Sequence, residues 1–387
     1  MTTQNTRRQV LKGGLAMAGL GVLGFPNWVL PALAQGAVVI PFLDIPEDVN
    51  FEPTPERRSL DVRRIDGPFT PADQFFTTQH YGHPVLEAAS HRLTVSGLVD
   101  RSVSLSLDDL RQMGGTELAA GFECSGNRPP LQGSSSNGRW TGVPLRTVLE
   151  HAGVQAAARE VVFFGADSRE EEMEWRRSTF SVNVRFGRSL PREHALSPAP
   201  FLAYALNGEP LTRHQGFPLR LIVPGWYGVA NVKWLSDIQV QHERYVGKWQ
   251  AREYRTIKGE MVDGEMRWNE TAIGAMRLKS FLARVTREGS VHRVLGVVLH
   301  DGTPVRSVEV RVDDGPWQAA TMDRSTPETY AWKLFTYDWT GATPGEHTLV
   351  SRVTNANGQV QPTAEDLEHK VTFLENNQQA PRTVRIS

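Results

Sequence analysis

The sequence predicts an α+β protein in which a mixed α/β domain is followed by an immunoglobulin-like β-sandwich. The chain has 387 residues, which is too long for one ordinary hydrophobic core and favours two domains. Between about residues 91 and 241, short apolar strand patterns are mixed with helical patterns. After about residue 270, the sequence carries short strand patterns separated by turns.

Residues 1–34 predict a twin-arginine signal peptide that directs the protein to the periplasm. Arg7 and Arg8 precede an apolar stretch rich in Gly and Ala, and the segment 31–34 offers small residues at a cleavage position. The apolar stretch is nearly long enough to span a membrane, so an uncleaved anchor is the alternative. Its Gly and Pro content favours cleavage near Gln35, and no stable membrane anchor is expected.

Residues 35–75 predict an N-terminal arm, because they are rich in Pro and charge and show no sustained hydrophobic period. The mixed domain follows over residues 76–268. Its helices are predicted at 106–113, where Ser106 caps an acidic first turn, and at 143–153, which ends on a glycine. Its strands are predicted at the short apolar or alternating runs 91–97, 161–164 and 219–223.

Residues 269–387 predict the β-sandwich, because strand and turn patterns alternate there at intervals typical of such domains. The strand patterns lie at 294–300, 308–312, 332–339 and 346–354. A single cysteine in the whole chain rules out the paired-cysteine pattern of antibody domains. The expected sandwich is therefore immunoglobulin-like in size and has no disulfide.

Composition and charge argue against several classes of function. The 42 basic and 43 acidic residues nearly cancel and form no basic stripe or tail, so nucleic-acid binding is not indicated. The histidines show no HExxH or His-x-His spacing, which argues against a zinc site. One cysteine cannot make the Cys-x-x-Cys-His attachment of a c-type haem. No glycine-rich fingerprint follows a predicted strand, so nicotinamide and flavin are not indicated.

The one cysteine of the chain, Cys124, lies in the run Ala119-Ala-Gly-Phe-Glu-Cys-Ser-Gly-Asn-Arg128. Composition alone favours an inert buried thiol, and a nucleophile or a metal ligand are the other interpretations. An apolar stretch leads into Cys124, and the residues after it supply a turn, backbone donors and the cation of Arg128. Such a setting can hold a thiolate, so the sequence favours a metal ligand.

Five runs in a fixed order resemble the sulfite oxidase family of molybdenum-cofactor oxidoreductases, especially its bacterial exported sulfite dehydrogenases. The runs are 75–80, 119–128, 207–220, 223–235 and 249–254. The resemblance extends from about residue 70 to the C-terminus, and the sandwich resembles the dimerisation domain of the family. It implies a molybdenum–molybdopterin cofactor, no haem, a homodimer, and a catalytic role for the mixed domain.

The resemblance also implies roles for individual residues. Cys124 would ligate molybdenum, and Tyr254 and His80 would act as catalytic residues that shape the substrate pocket. Arg220 and Lys233 would meet the phosphate of the cofactor. His80 and Cys124 also belong to the implied cofactor-binding set, whose other members are Phe76, Thr77, Thr78, Gln79, Asp167, Gln215, Asn231 and Val232. Tyr227 is a weaker candidate near the mouth of the site.

Two departures from the family pattern bear on the substrate. Thr78 stands where sulfite-oxidising members usually carry an arginine, and a neutral hydroxyl cannot replace a bidentate guanidinium. Gln215 stands where the animal enzymes carry a histidine, and a Gln at this position is closer to the bacterial sulfite and sulfane dehydrogenases. Arg128 and Arg139 are candidates to supply the missing cation, and residues 133–138 are predicted to form a flexible loop near the site.

The implied function is oxidation of sulfite to sulfate outside the cytoplasm, with electrons passed to a separate cytochrome or other carrier. A sulfane-type dehydrogenase subunit or an oxide reductase of the same family is the alternative that Thr78 and Gln215 suggest. A non-catalytic exported binding or assembly protein that retains the sandwich is an alternative of another class. The sequence names neither the electron acceptor nor the physiological substrate.

Overall fold

The computed structural model describes residues 37–46, 49, 51, 54 and 57–387. The predicted signal peptide, residues 1–34, lies outside the described residues, and so does part of the predicted arm. Over the described chain most regular structure is β-strand, and the α-helices are short. No helix in this part of the chain is long and apolar enough to cross a membrane.

The strands and helices are as follows, in chain order within each class. The strands are β1 (Val38–Ile40), β2 (Arg57–Arg58), β3 (Thr77–Thr78), β4 (Leu93–Gly97), β5 (Val103–Leu105), β6 (Thr116–Glu123), β7 (Ser135–Pro144), β8 (Glu160–Trp175), β9 (Ser178–Pro191), β10 (Phe201–Leu206), β11 (Glu209–Pro210), β12 (Arg220–Ile222), β13 (Leu235–Gln241), β14 (Arg255–Val262), β15 (Glu265–Ala272), β16 (Lys279–Glu288), β17 (Val291–Leu299), β18 (Val305–Val312), β19 (Gln318–Ala319), β20 (Thr321–Met322), β21 (Lys333–Trp339), β22 (Gly345–Asn355) and β23 (Arg382–Ile386). The α-helices are α1 (Leu107–Gln112), α2 (Leu145–Ala152) and α3 (Arg192–Ala195).

Two sheets form most of the regular structure between residues 93 and 241. One has the strand order β5-β4-β13-β8-β9, and the other has the order β11-β10-β7-β6 with β12 paired to β10. Apolar side chains from both sheets and from α1 and α2 share one core, in which Leu93, Val143 and Val148 are fully buried. This core fixes the strand ends and loops that carry the predicted site residues.

The helices predicted at 106–113 and 143–153 are confirmed as α1 and α2. Ser106 caps α1, because its Oγ accepts a hydrogen bond of 3.1 Å from the backbone N–H of Asp109. Gly153 ends α2 with a φ of 75°, a left-handed conformation that glycine adopts at little cost. These helices are few and short, so the expectation of a mixed α/β domain holds only in part and the protein is mostly β.

Two further sheets form most of the remainder of the chain. Their strand orders are β1-β16-β17-β21-β20 and β19-β18-β22-β23. Leu282 and Val294 from the first sheet and Val310 and Leu349 from the second are fully buried in one shared core. The structure therefore contains a two-sheet sandwich here, and its immunoglobulin-like topology stays a prediction.

The expectation of a flexible loop at residues 133–138 is wrong, because β7 begins at Ser135 and pairs with β6. Its polar side chains are satisfied inside the fold: Ser135 Oγ donates to the carbonyl of Gln132, and Ser136 Oγ accepts from the N–H of Phe76. A run of small polar residues looks like a loop in the sequence, but here it forms a buried strand.

Part of the predicted arm is built into the sandwich, whereas β2 pairs with β3 and Phe75 packs on Trp140. Strand β1 pairs antiparallel with β16, and Phe42 and Ile45 lie in the sandwich core. Farther along, Leu60 and Val62 pack in a second apolar cluster with Trp332. Burial of these apolar side chains stabilises the segment against the sandwich. The sequence of the arm has no sustained hydrophobic period, so it gave no indication of this packing.

Candidate active site

A cavity of about 620 Å³, open mouth included, lies among β3, the end of β6, β8 and the loops before β13 and β14. Most of the predicted site residues line it: Phe76, Thr77, Thr78, Gln79, His80, Cys124, Asp167, Arg220, Asn231, Lys233 and Tyr254. Its remaining lining residues were not predicted: Phe122, Phe186, Gly228, Val229 and Trp234. Segments far apart in the sequence therefore meet in one cavity.

Cys124 follows the last residue of β6 and begins a tight turn. Its N–H donates to the carbonyl of Ser134 at 2.8 Å, and its carbonyl accepts from the N–H of Asn127 at 2.9 Å. The side chain is half-buried and lines the cavity. Burial raises the pKa of the Cys124 thiol, the charge of Glu123 adds to this effect, and a hydrogen bond from the Gly126 backbone opposes it. A metal cation would be needed to hold the thiolate here.

Arg128 does not support the sulfur as the sequence suggested. Its side chain lies over the ring of Phe373, 5.5 Å from the ring centroid, and does not line the cavity. Arg139 is also engaged elsewhere, because its guanidinium is 3.2 Å from a carboxylate oxygen of Glu328. Neither Arg128 nor Arg139 therefore supplies a cation in place of the arginine that the family pattern has at position 78.

Tyr254 and His80 form a hydrogen-bonded pair at the cavity wall, with 2.8 Å between Tyr254 Oη and His80 Nε2. The imidazole stacks on the indole of Trp249, at 3.9 Å between ring centroids and 5° between planes. Burial lowers the pKa of His80 to about 4, and the charges of nearby cations, Lys233 first, add to the effect. Burial also raises the pKa of Tyr254 above its usual value. Both groups are therefore uncharged at neutral pH.

Arg220 and Lys233 bring two positive charges to the cavity. The Arg220 guanidinium donates to the carbonyls of Gln215 and Asn231 at 2.9 and 3.3 Å, and Lys233 Nζ donates to the carbonyl of Thr78 at 2.8 Å. Carbonyl oxygens carry no net charge, and neither cation forms a salt bridge among the described residues, although the charge of Asp167 partly offsets that of Lys233. Burial lowers the pKa of Arg220 to about 9. It lowers the pKa of Lys233 to about 7, with the charge of Arg220 as the next cause.

Asp167 offers a hydrogen-bond acceptor to the cavity. Its side chain is buried, and its Oδ1 has no hydrogen-bond partner among the described residues. Burial raises the pKa of Asp167 to about 6, although the charge of Lys233 acts in the opposite direction. An unpartnered buried carboxylate oxygen is costly, and a ligand N–H would satisfy it.

These groups fit a molybdenum–molybdopterin cofactor. The anionic phosphate of such a group matches the cations of Arg220 and Lys233, and its pterin N–H groups match Asp167 Oδ1. Cys124 offers a soft thiolate ligand for the metal. Gly216 makes room beside Lys233, because a Cβ at Gly216 would lie only 2.8 Å from the Cβ of Lys233.

Gln215 and Val232 do not line the cavity. The Gln215 side chain is used inside the fold, since its Nε2 donates to the carbonyl of Ala72 at 2.6 Å and its Oε1 accepts from the N–H of Thr212. The backbone N–H and carbonyl of Val232 pair with Ala230 and Leu221. Through its own carbonyl, Gln215 instead orients Arg220.

Tyr227 is not at the mouth of the cavity. Its side chain is 1% exposed, and its hydroxyl accepts a hydrogen bond of 3.2 Å from the N–H of Arg277.

Trp249, in contrast, contacts His80 directly and was not assigned a role from the sequence. It lies in the run 249–254, but a stacking contact across so many residues leaves no local pattern in the sequence.

Known proteins resemble this chain in sequence. A family model described as the oxidoreductase molybdopterin binding domain matches residues 80–249. Mitochondrial sulfite oxidase of Homo sapiens is 31% identical over 318 residues, which cover 74% of this chain and 54% of that protein. Sulfite oxidase of Gallus gallus is 31% identical over 325 residues, which cover 76% of this chain and 68% of that protein. The chain thus spans about half the length of the human relative.

A solved structure is similar over nearly the whole chain. The sulfane dehydrogenase SoxCD from Paracoccus pantotrophus matches with a TM-score of 0.72 and 24% sequence identity. The match covers 95% of this chain and 94% of that chain. At this level of identity the likeness is one of fold.

Proposed function

This chain belongs to the sulfite oxidase family of molybdopterin oxidoreductases, and on that premise we propose that it oxidises sulfite to sulfate. One observation carries the proposal: the half-buried thiol of Cys124 shares a cavity with two cations that form no salt bridge among the described residues and with the Tyr254–His80 pair. Such an enzyme needs a soft ligand for the metal, a binding site for the anionic phosphate and an uncharged hydrogen-bonding pair for the substrate.

The residues of the cavity divide the work of holding the cofactor. Cys124 Sγ would ligate molybdenum, Arg220 and Lys233 would bind the phosphate, and Asp167 Oδ1 would accept from the pterin. When bound, the cofactor supplies the two-electron redox chemistry of oxygen transfer to sulfur. The apolar walls that Phe122 and Phe186 contribute exclude water from the polar contacts and strengthen them.

Tyr254 and His80 orient the substrate as an uncharged pair. In the tautomer with the proton on Nε2, His80 donates to Tyr254 Oη, and the tyrosine hydroxyl is free to donate to a substrate oxygen. The raised pKa of Tyr254 keeps its proton in place. The stacking of His80 on Trp249 fixes the plane of the imidazole and therefore the direction of this hydrogen bond.

Replacement of Tyr254 by phenylalanine should lower kcat/KM for sulfite by roughly tenfold to a hundredfold, or about 1.4–2.8 kcal/mol. The change removes the hydroxyl that would bind the substrate and leaves the ring in place. Steady-state kinetics with an artificial electron acceptor measure the effect. Tyr245→Phe is the matched control, because Tyr245 does not line the cavity. If kcat/KM for sulfite is the same in Tyr254→Phe and Tyr245→Phe protein, the Tyr254 hydroxyl does not take part in substrate binding and Tyr254 is only structural.

A second candidate substrate is sulfane sulfur or another oxide, and Thr78 is the observation that favours it. Among the described residues that line the cavity, the cations are Arg220 and Lys233, both of which the cofactor phosphate would occupy. A small dianionic substrate such as sulfite would then contact only the neutral side chains of Tyr254 and His80 beside Cys124. A neutral or carrier-bound sulfur group would need no further cation.

Replacement of Thr78 by arginine tests this point as a gain of function. A guanidinium at the exposed Thr78 position should lower the KM for sulfite by about tenfold, because charge-assisted hydrogen bonds to an oxyanion are strong. Thr78→Met is the control, since it adds length without charge. A KM that both variants leave unchanged would show that anion binding does not limit sulfite turnover.

Metal analysis and a turnover assay together test the proposed function. Purified protein should contain molybdenum and reduce an artificial acceptor when sulfite is added. A preparation fully loaded with molybdenum that does not oxidise sulfite would remove sulfite as the substrate and favour the second candidate. Native protein without molybdenum would overturn the proposal.

We also propose the setting in which the enzyme works. Residues 1–34 would export the folded protein to the periplasm, residues 76–268 would form the catalytic domain, and residues 269–387 would form an immunoglobulin-like dimerisation domain. Electrons would leave to a separate cytochrome or other carrier. Support comes from the twin arginine at Arg7 and Arg8 and from the sandwich of sheets after residue 278. Fractionation of cells and analytical ultracentrifugation test these points.

A further inference from the structure

Lys279 brings a positive charge from the sandwich to the turn that carries Cys124. It is the first residue of β16, and its side chain is 0% exposed. Its Nζ lies 2.9 Å from Glu123 Oε2 and 3.1 Å from the carbonyl oxygen of Asn127. These two residues flank Cys124 in the sequence, so Lys279 contacts both sides of the turn.

The contacts of Glu123 and Asn127 close the turn around the thiol. Asn127 Nδ2 donates to Glu123 Oε2 at 2.9 Å, and Asn127 Oδ1 accepts from the N–H of Ser134 at 3.1 Å. The N–H of Asn127 donates to the carbonyl of Cys124, whose own N–H donates to Ser134. The Cys124 carbonyl is therefore two hydrogen bonds from Lys279, through Asn127, and the Cys124 N–H is three, through Ser134 and Asn127.

A second contact from the C-terminal part of the chain supports the same turn. The N–H of Glu375 donates to the carbonyl of Ser125 at 2.6 Å. A Cβ added at Gly126 would lie 3.4 Å from the ring of Phe373, so the segment around Phe373 packs closely on the turn. The turn is thus held from both sides by residues of the C-terminal part of the chain.

A buried ion pair adds little stability compared with apolar residues of similar volume, because both charges lose their hydration. The pair of Lys279 and Glu123 is nevertheless fully buried: Glu123 Oε2 accepts from Lys279 and from Asn127, whereas Glu123 Oε1 has no partner among the described residues. Such an arrangement is better suited to fixing one conformation than to raising stability. The conformation fixed here is that of the Cys124 turn.

We propose that Lys279 is a positioning residue for Cys124. Through Glu123 and Asn127 it fixes the direction in which the thiol points into the cavity, so the sandwich forms part of the active site. The inference rests on the proposed function, in which Cys124 ligates the metal. It gives the C-terminal part of the chain a role in catalysis besides the dimerisation that the resemblance implies.

Lys279→Met in the full-length, cofactor-loaded protein tests the proposal by three readouts. We expect a shifted thiolate–metal absorbance band, and a kcat lowered about tenfold with KM changed less than about twofold. Amide hydrogen exchange over residues 120–135 should be faster by about tenfold or more. Arg382→Met is the matched control, because the buried Arg382 side chain also forms an ion pair, with the partly exposed Asp44 at 2.7 Å, and lies outside the turn.

Wild-type absorbance, kcat and exchange in folded Lys279→Met protein would overturn the proposal, and so would equal changes in Arg382→Met. Should Lys279→Met fail to fold, the double variant Glu123→Gln with Lys279→Met leaves no unpaired buried charge, and the same readouts apply to it. Wild-type protein without molybdenum would refute the proposed function instead. The exchange of residues 120–135 would still show whether Lys279 holds the turn.

Discussion

Replacement of Cys124 by serine is expected to abolish sulfite oxidation while leaving the fold intact. A hydroxyl is a hard and weakly acidic ligand, and it cannot replace a soft thiolate on molybdenum. We expect kcat to fall by roughly 10³-fold or more, which corresponds to about 4 kcal/mol of transition-state stabilisation. The backbone contacts of Cys124 with Ser134 and Asn127 do not involve the side chain, so the turn should persist.

Steady-state turnover, molybdenum content and thermal unfolding measure this result together. Ser125→Ala is the matched control, because Ser125 is the next residue, is buried, and has no partner for its Oγ among the described residues. The control should retain activity and stability close to those of the wild type. Substantial sulfite oxidation by Cys124→Ser protein with a normal molybdenum content would refute the assignment of Cys124 as the ligand.

The sequence predicts the residues of the cavity better than their contacts. The residue types around Cys124 indicate its chemistry, and Lys233 and Tyr254 belong to short runs that match the pattern of the family the chain resembles, so a linear reading can select all three. The contact between His80 and Trp249 depends on how β3 and the segment after β13 approach one another. Such a contact is set by tertiary packing, and no spacing in the sequence encodes it.

Among the strands and helices, too, the sequence predicts local features and does not predict those that depend on tertiary contacts. Ser106 and Gly153 predict the ends of α1 and α2 because capping is a local interaction. Ser135 and Ser136 instead look like loop residues, and only their buried partners in the folded chain make β7 possible. Likewise, the burial of Lys279 against Glu123 joins distant strands, and in the sequence it is an ordinary lysine at a strand boundary.

Replacement of Lys233 by methionine is expected to weaken cofactor retention by about a hundredfold, or about 2.7 kcal/mol. Methionine keeps the length of the side chain and removes the charge that would meet the phosphate. The amount of molybdenum and pterin that remains after dialysis, and the rate of cofactor loss, measure the effect. Lys248→Met is the control, because Lys248 pairs with Glu171 at 2.6 Å and does not line the cavity.

The pH dependence of cofactor binding distinguishes a phosphate contact from a packing role for Lys233. Burial lowers the pKa of Lys233 to about 7, and a bound anion would raise it. At Lys233, binding should therefore take up a proton, a contribution that lowers affinity by at most about tenfold per pH unit above pH 7. The Cys124 thiol, whose pKa is raised, releases a proton when it ligates the metal and acts in the opposite direction in both proteins. The ratio of wild-type to Lys233→Met affinity should therefore fall between pH 7 and 9. An equally steep dependence in Lys233→Met and wild-type protein would mean that Lys233 does not meet the phosphate, since a methionine has no proton to exchange.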